Sequence, residues 1–266
     1  MTGSAKDIVL VRVEEREAGH VAYVTVNNPE KRNALGIAGK KALAQAFKHL
    51  ARDKALRVAV LTGAGERSFM AGADIAEMKD ITPKKAHDVH EWVHRACDSI
   101  RTLPVPVIAR INGYCFGAGM ELAASCDLRI GVTTAKLGMP EVRFGIPSGM
   151  EACLLPQLIG WGKTRELVYT GDHIGAEEAH RCGFLEKVVE PARLDEGVEQ
   201  WVASLLEAGP RAIRIQKKLV RDWERMTISQ AVQAGIRACG EARKTDEPKR
   251  LMAAFLERKK SERRGQ

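Results

Sequence analysis

The chain has 266 residues, of which 45% are hydrophobic and 29% are charged, and this composition excludes an intrinsically disordered protein. The formal net charge of +8 by itself allows a nucleic acid, an anionic membrane or a phosphate-bearing ligand as a partner. Residues 211–266 carry 16 basic and 7 acidic side chains, so the whole positive surplus lies in the C-terminal segment. Aromatic residues make up only 5%, too few for stacking platforms along a single strand, and we expect no nucleic-acid partner.

The six cysteines are spread along the chain and form no Cys-x-x-Cys pair. Scattered thiols in a chain of this length are typical of small buried residues in a reducing compartment. Nowhere do about 18 apolar residues run uninterrupted, and the first ten residues show no signal-peptide pattern. We therefore expect a cytoplasmic protein without a membrane partner.

The predicted elements begin with a β-hairpin, because residues 8–13 and 21–26 are short β-branched runs separated by a charged stretch with a glycine. Apolar residues then recur at helical spacing over 36–52, which predicts a helix. Two apolar runs, 58–61 and 106–111, of which the second is interrupted only by Arg110, predict buried strands, and each is closed by a glycine-containing turn.

The second half of the chain changes from alternating strands and helices to helices alone. A helical run over 120–125 is followed by a short strand over 127–132, which favours an α/β layered fold. From about residue 192 onward only helical patterns remain, over 198–206, 212–223, 228–241 and 248–258. The sequence therefore predicts an α/β core over 1–195 and a helical region over 196–266.

One local motif raises the question of a metal site. His90-Glu91-Trp92-Val93-His94 matches the H-E-x-x-H pattern, in which two imidazoles on one helix face bind zinc and the glutamate acts as base. It lies in a helix predicted over 83–101, and a third ligand would come from Glu121 or Glu141. Charged neighbours favour a solvated helix face, and zinc hydrolysis through His90 and His94 stays the alternative from a different class of enzyme.

Two glycine-rich turns follow the two buried strands. One is Phe69-Met70-Ala71-Gly72-Ala73-Asp74, and the other, over 113–119, contains Gly117-Ala118-Gly119. Small residues let another molecule approach the backbone N–H groups. Two such groups that converge on one oxygen would form an oxyanion hole.

Two glutamates stand next to these turns. Glu121 lies in the first turn of the helix after the second glycine-rich turn, among apolar residues, and Glu141 follows Pro140. A carboxyl group in an apolar neighbourhood has a raised pKa, which suits proton transfer near neutral pH. Taken singly, each could equally be a helix N-terminal or surface glutamate.

Several segments, in a fixed order along nearly the whole chain, are similar to one known family. They are Asn28-Pro29 with 32–35 (RNAL), 69–78 (FMAGADIAEM), 106–127 (PVIARINGYCFGAGMELAASCD), Gly138-Met139-Pro140-Glu141, Thr170-Gly171 and 253–259 (AAFLERK). The chain resembles the crotonase, or enoyl-CoA hydratase/isomerase, superfamily, and most of all an enoyl-CoA hydratase. The resemblance implies an α/β fold, a crotonase-like spiral of ββα turns, with a helical C-terminal region that builds homotrimers, commonly paired into hexamers.

The resemblance also implies the site. The oxyanion-hole donors are the N–H groups of Ala73 and Ala118, Glu121 activates a water molecule, and Glu141 delivers a proton to Cα. Retention of both glutamates favours hydration of a 2-trans-enoyl-CoA to a 3-hydroxyacyl-CoA, as in fatty acid metabolism, without a cofactor beyond the CoA of the substrate. The matching substrate contacts are Arg32, Ala34, Ala71, Gly72, Asp74, Ile75, Gly117, Pro140, Phe255 and Lys259, with the adenine near a strand over 71–75.

The stretch after Glu141 departs from the family pattern. Residues 144–151 (FGIPSGME) are one residue shorter than the common hydratase loop and place Met150 and Glu151 about where that loop has a Gly-Gly pair. Glu151 is either a third carboxylate at the site or a helix N-terminal residue, and helix-start preference favours the second. An isomerase, a specialised acyl-CoA dehydratase and a non-catalytic relative stay open as alternatives.

Overall fold

A computed structural model describes residues 7–264 of the chain. The predicted regions 1–195 and 196–266 thus include terminal residues that lie outside the described part. The strands, in chain order, are β1 (Val9–Arg16), β2 (Gly19–Val26), β3 (Leu56–Gly63), β4 (Ser68–Met70), β5 (Val107–Ile111), β6 (Tyr114–Phe116), β7 (Leu128–Val132), β8 (Lys136–Gly138), β9 (His173–Gly175) and β10 (Lys187–Val189).

The helices are α1 (Ile37–Leu50), α2 (Ile75–Met78), α3 (Pro83–Arg101), α4 (Ala118–Ala124), α5 (Leu155–Thr170), α6 (Ala176–Arg181), α7 (Leu194–Glu207), α8 (Pro210–Trp223), α9 (Ile228–Ala242) and α10 (Glu247–Arg264). Short 3-10 helices cover Pro29–Lys31, Glu141–Phe144, Met150–Leu154 and Pro191–Arg193.

The larger sheet has six strands in the order β1-β2-β3-β5-β7-β10. β1 and β2 form the predicted antiparallel hairpin, with Val9 opposite Val26. The other neighbouring strands of this sheet run parallel. Parallel neighbours need crossover connections, and these connections carry the loops and helices of the site.

The smaller sheet has four strands in the order β4-β6-β8-β9. β4 follows β3, β6 follows β5 and β8 follows β7, so each turn of the chain adds one strand to each sheet. Helices α2 and α3 follow β4, α4 follows β6, and α5 follows β8 after two 3-10 helices. This repeated path confirms the predicted spiral of ββα turns.

The sheet strands and the first long helices form an apolar core. All residues of β3 except Thr62 are buried, which fits a strand covered on both faces. α1 buries Phe47 and Leu50 and packs on α3, which buries Val93 and Ile100. Full burial of one such side chain contributes roughly 1.5–3 kcal/mol. This packing holds the strand ends from which the loops of the site extend.

Several details differ from the sequence-based prediction, in which α5, α6 and β10 have no counterpart. Residues 71–75 are not a strand: Ala73 forms an isolated parallel bridge with Leu35, and Ile75 already begins α2. The φ of +88° at Gly72 interrupts the extended backbone there. The helix predicted over 120–125 begins two residues earlier, at Ala118. The smaller sheet has no counterpart in the prediction, because strands of three residues are too short for a periodic pattern.

The chain divides into two compact units, of which the first ends at Val202 and the second begins at Ala203. The second unit contains α8, α9 and α10. α9 begins with a capping box, in which the Thr227 side chain accepts from the Gln230 N–H and the Gln230 side chain accepts from the Thr227 N–H. Within the described part of the chain, none of the helices combines the length and apolar character needed to cross a membrane.

Candidate active site

The first glycine-rich turn follows β4 and lies against the second. At Gly72, a side-chain β-carbon would lie 3.0 Å from the Phe116 carbonyl oxygen and 3.7 Å from the Ala118 nitrogen. Glycine allows this close approach at a positive φ. The Leu35 N–H donates to the Gly72 carbonyl oxygen at 3.0 Å, just before Ala73. The structure therefore brings Ala73 and Ala118, the predicted oxyanion-hole residues, into adjoining loops.

The second glycine-rich turn begins α4. Gly117 has φ 54° and ψ −124°, a combination that residues with a side chain avoid. Its N–H donates to the Gly138 carbonyl oxygen at 2.9 Å, and its own carbonyl oxygen accepts from the Glu121 N–H at 3.0 Å. Ala118 precedes that first helical bond, so intrahelical bonding leaves its amide available.

Glu121 is the more deeply buried of the two predicted carboxyl groups. It lies on α4 and is 1% exposed. The Ala152 N–H donates to Glu121 Oε1 at 3.1 Å. Burial raises the pKa of the Glu121 carboxyl to about 8, and the nearby charge of Glu141 acts in the same direction.

Glu141 begins a 3-10 helix for which Pro140 is the N-cap. The Ser148 hydroxyl donates to Glu141 Oε2 at 2.8 Å. Burial raises the pKa of Glu141, and the Ser148 hydrogen bond lowers it again. Its other oxygen, Oε1, lies against Gly117, where a side-chain β-carbon would collide with it. The structure thus brings Glu121 and Glu141 to the same turn.

Hydrogen bonds join the segment around Arg32 to the first glycine-rich turn and to its neighbours. The Ala71 N–H donates to the Arg32 carbonyl oxygen at 3.0 Å. Asn33 is fully buried; its Oδ1 accepts from the Asn28 N–H at 3.0 Å, and its Nδ2 donates to the Ser68 carbonyl oxygen at 2.7 Å. Both Arg32 and Asn33 have positive φ. The segment that holds Arg32 is therefore fixed against the first glycine-rich turn.

The remaining predicted contacts fall in two places. Ala34 is buried, Ile75 is exposed, and the Asp74 carboxylate lies 2.6 Å from the Lys31 ammonium. Phe255 and Lys259 lie on α10 in the second unit, where the Lys259 ammonium is 5.0 Å from the centroid of the Phe255 ring. The contacts of Phe255 and Lys259 with CoA stay a prediction.

A buried lysine lies close to Glu121. Lys40 on α1 is 3% exposed and lines a cavity of about 120 Å³ together with Leu35, Met78 and Val89. Burial lowers the pKa of the Lys40 ammonium to about 8, although the charges of Glu77 and Glu121 oppose this shift. The cavity also reaches Asp74, next to Ala73.

The H-E-x-x-H motif lies on α3, as predicted. His94 Nδ1 is 2.7 Å from Glu151 Oε1, so this histidine faces a carboxylate outside the motif. Among the residues that the structure describes, no group of three or more His, Cys, Asp or Glu side chains is placed to hold a metal ion. The geometry gives no support to the zinc alternative at His90 and His94.

Sequence reasoning missed Lys40, Ser148 and Ala152. Lys40 had a signal, because it occupies a buried position among the apolar residues of α1. Ser148 lies in a loop without periodicity. Ala152 acts through its backbone N–H, which residue type does not reveal.

The chain is similar to known proteins over nearly its whole length. The family model described as Enoyl-CoA hydratase/isomerase matches residues 16–266. A short-chain-enoyl-CoA hydratase of Clostridium acetobutylicum is 35% identical over 245 residues, which are 92% of this chain and 94% of that protein. A crotonyl-CoA hydratase of Syntrophomonas wolfei is 34% identical over 258 residues, or 97% and 98% of the two chains.

Among solved structures, an enoyl-CoA hydratase from Bacillus anthracis superposes with a TM-score of 0.89 and 31% identity. The superposition covers 93% of this chain and 96% of that one. The fold, the order of the segments and the family model agree over nearly the whole length. The chain belongs to the enoyl-CoA hydratase/isomerase family.

Proposed function

We propose that the protein is an enoyl-CoA hydratase, which adds water across the 2-trans double bond of an enoyl-CoA thioester to give a 3-hydroxyacyl-CoA. The observation that carries this proposal is the pair of carboxyl groups, Glu121 and Glu141, beside the turn at Gly117. The relatives whose names state hydratase activity support the same reaction.

Attack of water at Cβ moves negative charge onto the thioester oxygen. In the proposed complex, this oxygen lies between the N–H groups of Ala73 and Ala118. The contact of Gly72 with Phe116 and Ala118 supports this placement, because it keeps the two donors in adjoining loops. In other enzymes, loss of one such donor raises the barrier by about 2.7–4 kcal/mol.

Hydration also needs one group that takes a proton from water and one that gives a proton to Cα. Two carboxyl groups whose charges repel each other share one proton near neutral pH, so such a pair contains an acid and a base. The raised pKa values of Glu121 and Glu141 fit this requirement. The assignment of Glu121 as base requires that the shared proton resides on Glu141 when the substrate is bound.

The proposed substrate is a short enoyl-CoA. Two relatives have short-chain or crotonyl substrates in their names, which supports this choice. Addition of water changes no net oxidation state, so the proposal includes no redox cofactor, and coenzyme A enters as part of the substrate.

We extend the proposal to assembly and location. On α9, the side chains of Ile228, Val232 and Ile236 are exposed and recur at helical spacing, as expected of a helix that meets a second copy. This stripe supports association with a second copy, and the family resemblance implies a homotrimer or a dimer of trimers. The free cysteines, including the buried Cys97 and Cys115, support a reducing compartment such as the cytoplasm.

The deciding experiment measures hydration of crotonyl-CoA by the loss of enoyl-thioester absorbance. Glu121→Gln and Glu141→Gln should each lower kcat at least about a hundredfold, because each removes a proton-transfer group. Binding of the CoA ester should remain. The matched control is Glu91→Gln, which changes a partly exposed glutamate paired with Arg95 on α3 and should leave kcat within about twofold.

Wild-type turnover in both glutamine variants would contradict the proposal. The same assay with a 3-enoyl-CoA tests the isomerase alternative, and a panel of 3-hydroxyacyl-CoA esters tests a specialised dehydratase. Activity that survives chelation of metal ions contradicts zinc hydrolysis through His90 and His94.

A further inference from the structure

The contact between His94 and Glu151 joins a surface histidine to a buried carboxylate. Glu151 is 6% exposed, whereas the His94 side chain is 53% exposed. His94 Nδ1 lies 2.7 Å from Glu151 Oε1. Within the described part of the chain, the second oxygen of Glu151, Oε2, is buried and has no hydrogen-bond partner. One oxygen of this carboxylate therefore has a partner, whereas the other is buried without one. Buried polar atoms in proteins usually have a hydrogen-bond partner, so this arrangement needs an explanation.

The segment that carries Glu151 also touches the proposed active site. It is the 3-10 helix Met150–Leu154, whose residue Ala152 donates its N–H to Glu121 Oε1 at 3.1 Å. The same N–H also donates to the Gly149 carbonyl oxygen at 2.9 Å, so it is shared between two acceptors. One short helix thus connects α3, through His94, with the carboxyl group on α4.

The backbone at the start of this segment is strained. Met150 has a φ of +42°, in the left-handed region that residues with a side chain rarely adopt. Such a conformation persists when the surrounding structure holds it in place. Glu151 is the next residue, and its contact with His94 ties the strained turn to α3. The position of the Ala152 N–H therefore depends on a contact made one residue away.

The charge of Glu151 acts on the same site. It raises the pKa of Glu121, together with the larger effects of burial and of the Glu141 charge. The other ionisable groups around the two glutamates are His94 and Cys97 on α3, Cys153 on the same 3-10 helix, Arg101 at the end of α3, and Lys40 on α1. Glu141 and Glu151 are thus two acidic residues whose charges both act on Glu121.

We propose that Glu151, held by His94, is a positioning residue for Glu121: the pair fixes the turn that presents the Ala152 N–H and keeps a negative charge beside the active-site carboxyl. This inference rests on the proposed function for its kinetic test. It also explains why one histidine of the H-E-x-x-H motif faces Glu151.

The experiment compares Glu151→Gln and His94→Ala with wild-type protein. Glu151→Gln should lower the kcat for crotonyl-CoA about tenfold with KM within twofold. It should also move the Glu121 limb of the kcat/KM pH profile to lower pH, because one nearby negative charge is gone. His94→Ala should lower kcat without a shift to lower pH, since the Glu151 charge remains. The double variant should match Glu151→Gln, because His94 and Glu151 act through the same contact.

The matched control is His90→Ala, which removes the other histidine of the motif one turn earlier on α3 and should leave kcat and the pH profile unchanged. A wild-type kcat and an unshifted profile in Glu151→Gln would overturn the proposal. Additive losses in the double variant would overturn it as well. His94→Ala keeps the test valid if Glu151→Gln fails to fold, because His94 is largely exposed.

A readout independent of turnover separates this proposal from the proposed function. The titration of Glu121 can be followed by the infrared band of its protonated carboxyl group, identified by its loss in Glu121→Gln. In Glu151→Gln this titration should move to lower pH, and an unchanged titration overturns the positioning role. A protein that fails to hydrate any enoyl-CoA but shows the infrared shift contradicts the proposed function alone.

Discussion

Glu121 and Glu141 are the same residue type at one site, yet their surroundings differ. Glu121 lies on a helix, is almost fully buried, and accepts a hydrogen bond from the backbone N–H of Ala152. Glu141 lies on a 3-10 helix, is half-buried, and accepts a hydrogen bond from the Ser148 hydroxyl. Burial raises the pKa of both, to about 8 for Glu121, whereas a side-chain donor opposes the shift at Glu141.

The difference shows how one site can give two carboxyl groups separate tasks. The donor to Glu121 is a backbone N–H, whose position is fixed by the backbone, so the geometry around Glu121 is rigid. A hydroxyl rotates about a side-chain bond, so the Glu141 side can adjust as the substrate binds. Substitutions next to Glu121, substitutions next to Glu141, and a substitution at the glycine between them should therefore have distinct effects on activity or stability.

The largest effect on activity is expected from a substitution at Gly117, which lies between Glu121 and Glu141. Gly117→Ala places a methyl group against Glu141 Oε1 at a φ and ψ that alanine avoids. We expect at least a hundredfold loss of kcat for crotonyl-CoA, because small displacements of catalytic groups have costs of this size. Gly145→Ala is the control, since Gly145 also has a positive φ but meets nothing within 4 Å. Equal kcat values in the two variants would show that Gly117 does not control the position of Glu141.

A second change tests the Glu121 side through Lys40. The pKa of Lys40 is about 8 in the folded protein against a usual value of 10.5, so the folded protein binds fewer protons than the unfolded chain between these pH values. Stability lost to the buried charge at pH 7 is therefore regained as the pH rises from 8 to 10.5. Lys40→Met should raise the free energy of unfolding at pH 7 by roughly 1–3 kcal/mol.

Urea denaturation at pH 7 and pH 10 measures this effect. The advantage of Lys40→Met should shrink at the higher pH. Lys85→Met, which changes an exposed lysine at the same cavity, should alter stability by no more than about 0.5 kcal/mol. A gain that is equal at both pH values would refute the role of the buried charge.

The smallest effect is expected at Ser148, on the Glu141 side. Its hydroxyl lowers the pKa of Glu141, so Ser148→Ala should raise that pKa. The Glu141 limb of the kcat/KM pH profile should then move to higher pH by up to about one unit, the equivalent of one ordinary hydrogen bond. Ser148→Thr keeps the hydroxyl and should restore the profile. A shift to lower pH in Ser148→Ala would contradict this account of the Glu141 side.

Five strands of the larger sheet could be predicted from the sequence because their patterns are strong, whereas the three-residue β10 could not. The run over 58–61 is apolar throughout, and the run over 106–111 is apolar apart from Arg110. The structure extends the first to Leu56–Gly63 and shortens the second to Val107–Ile111. The smaller sheet could not be predicted, since its strands are held by neighbours that are distant in the chain. Tyr114 pairs with Ser68, for example, across 46 residues.

The sequence identified some residues of the candidate site but not the contacts that they make. Glu121 and Glu141 were candidates because of their residue type and neighbours, whereas Ala73 and Ala118 were identified because their segments are similar to a known family. The roles of all four stay predictions. Glu151 does lie in the first turn of a 3-10 helix, as the helix-start interpretation expects, but it is also buried against His94. Sequence position alone could not reveal that contact, because His94 and Glu151 are 57 residues apart.

The sequence by itself determined the α/β class, the order of the main elements, the family and the confinement of the excess positive charge to residues 211–266. Those properties follow from local patterns and from composition. Tertiary structure decided which groups share a site: Glu141 against Gly117, Ala152 on Glu121, and Glu151 on His94. The physical reason is that burial and hydrogen bonding between distant segments set the pKa and position of a carboxyl group, and neither is encoded by its immediate neighbours.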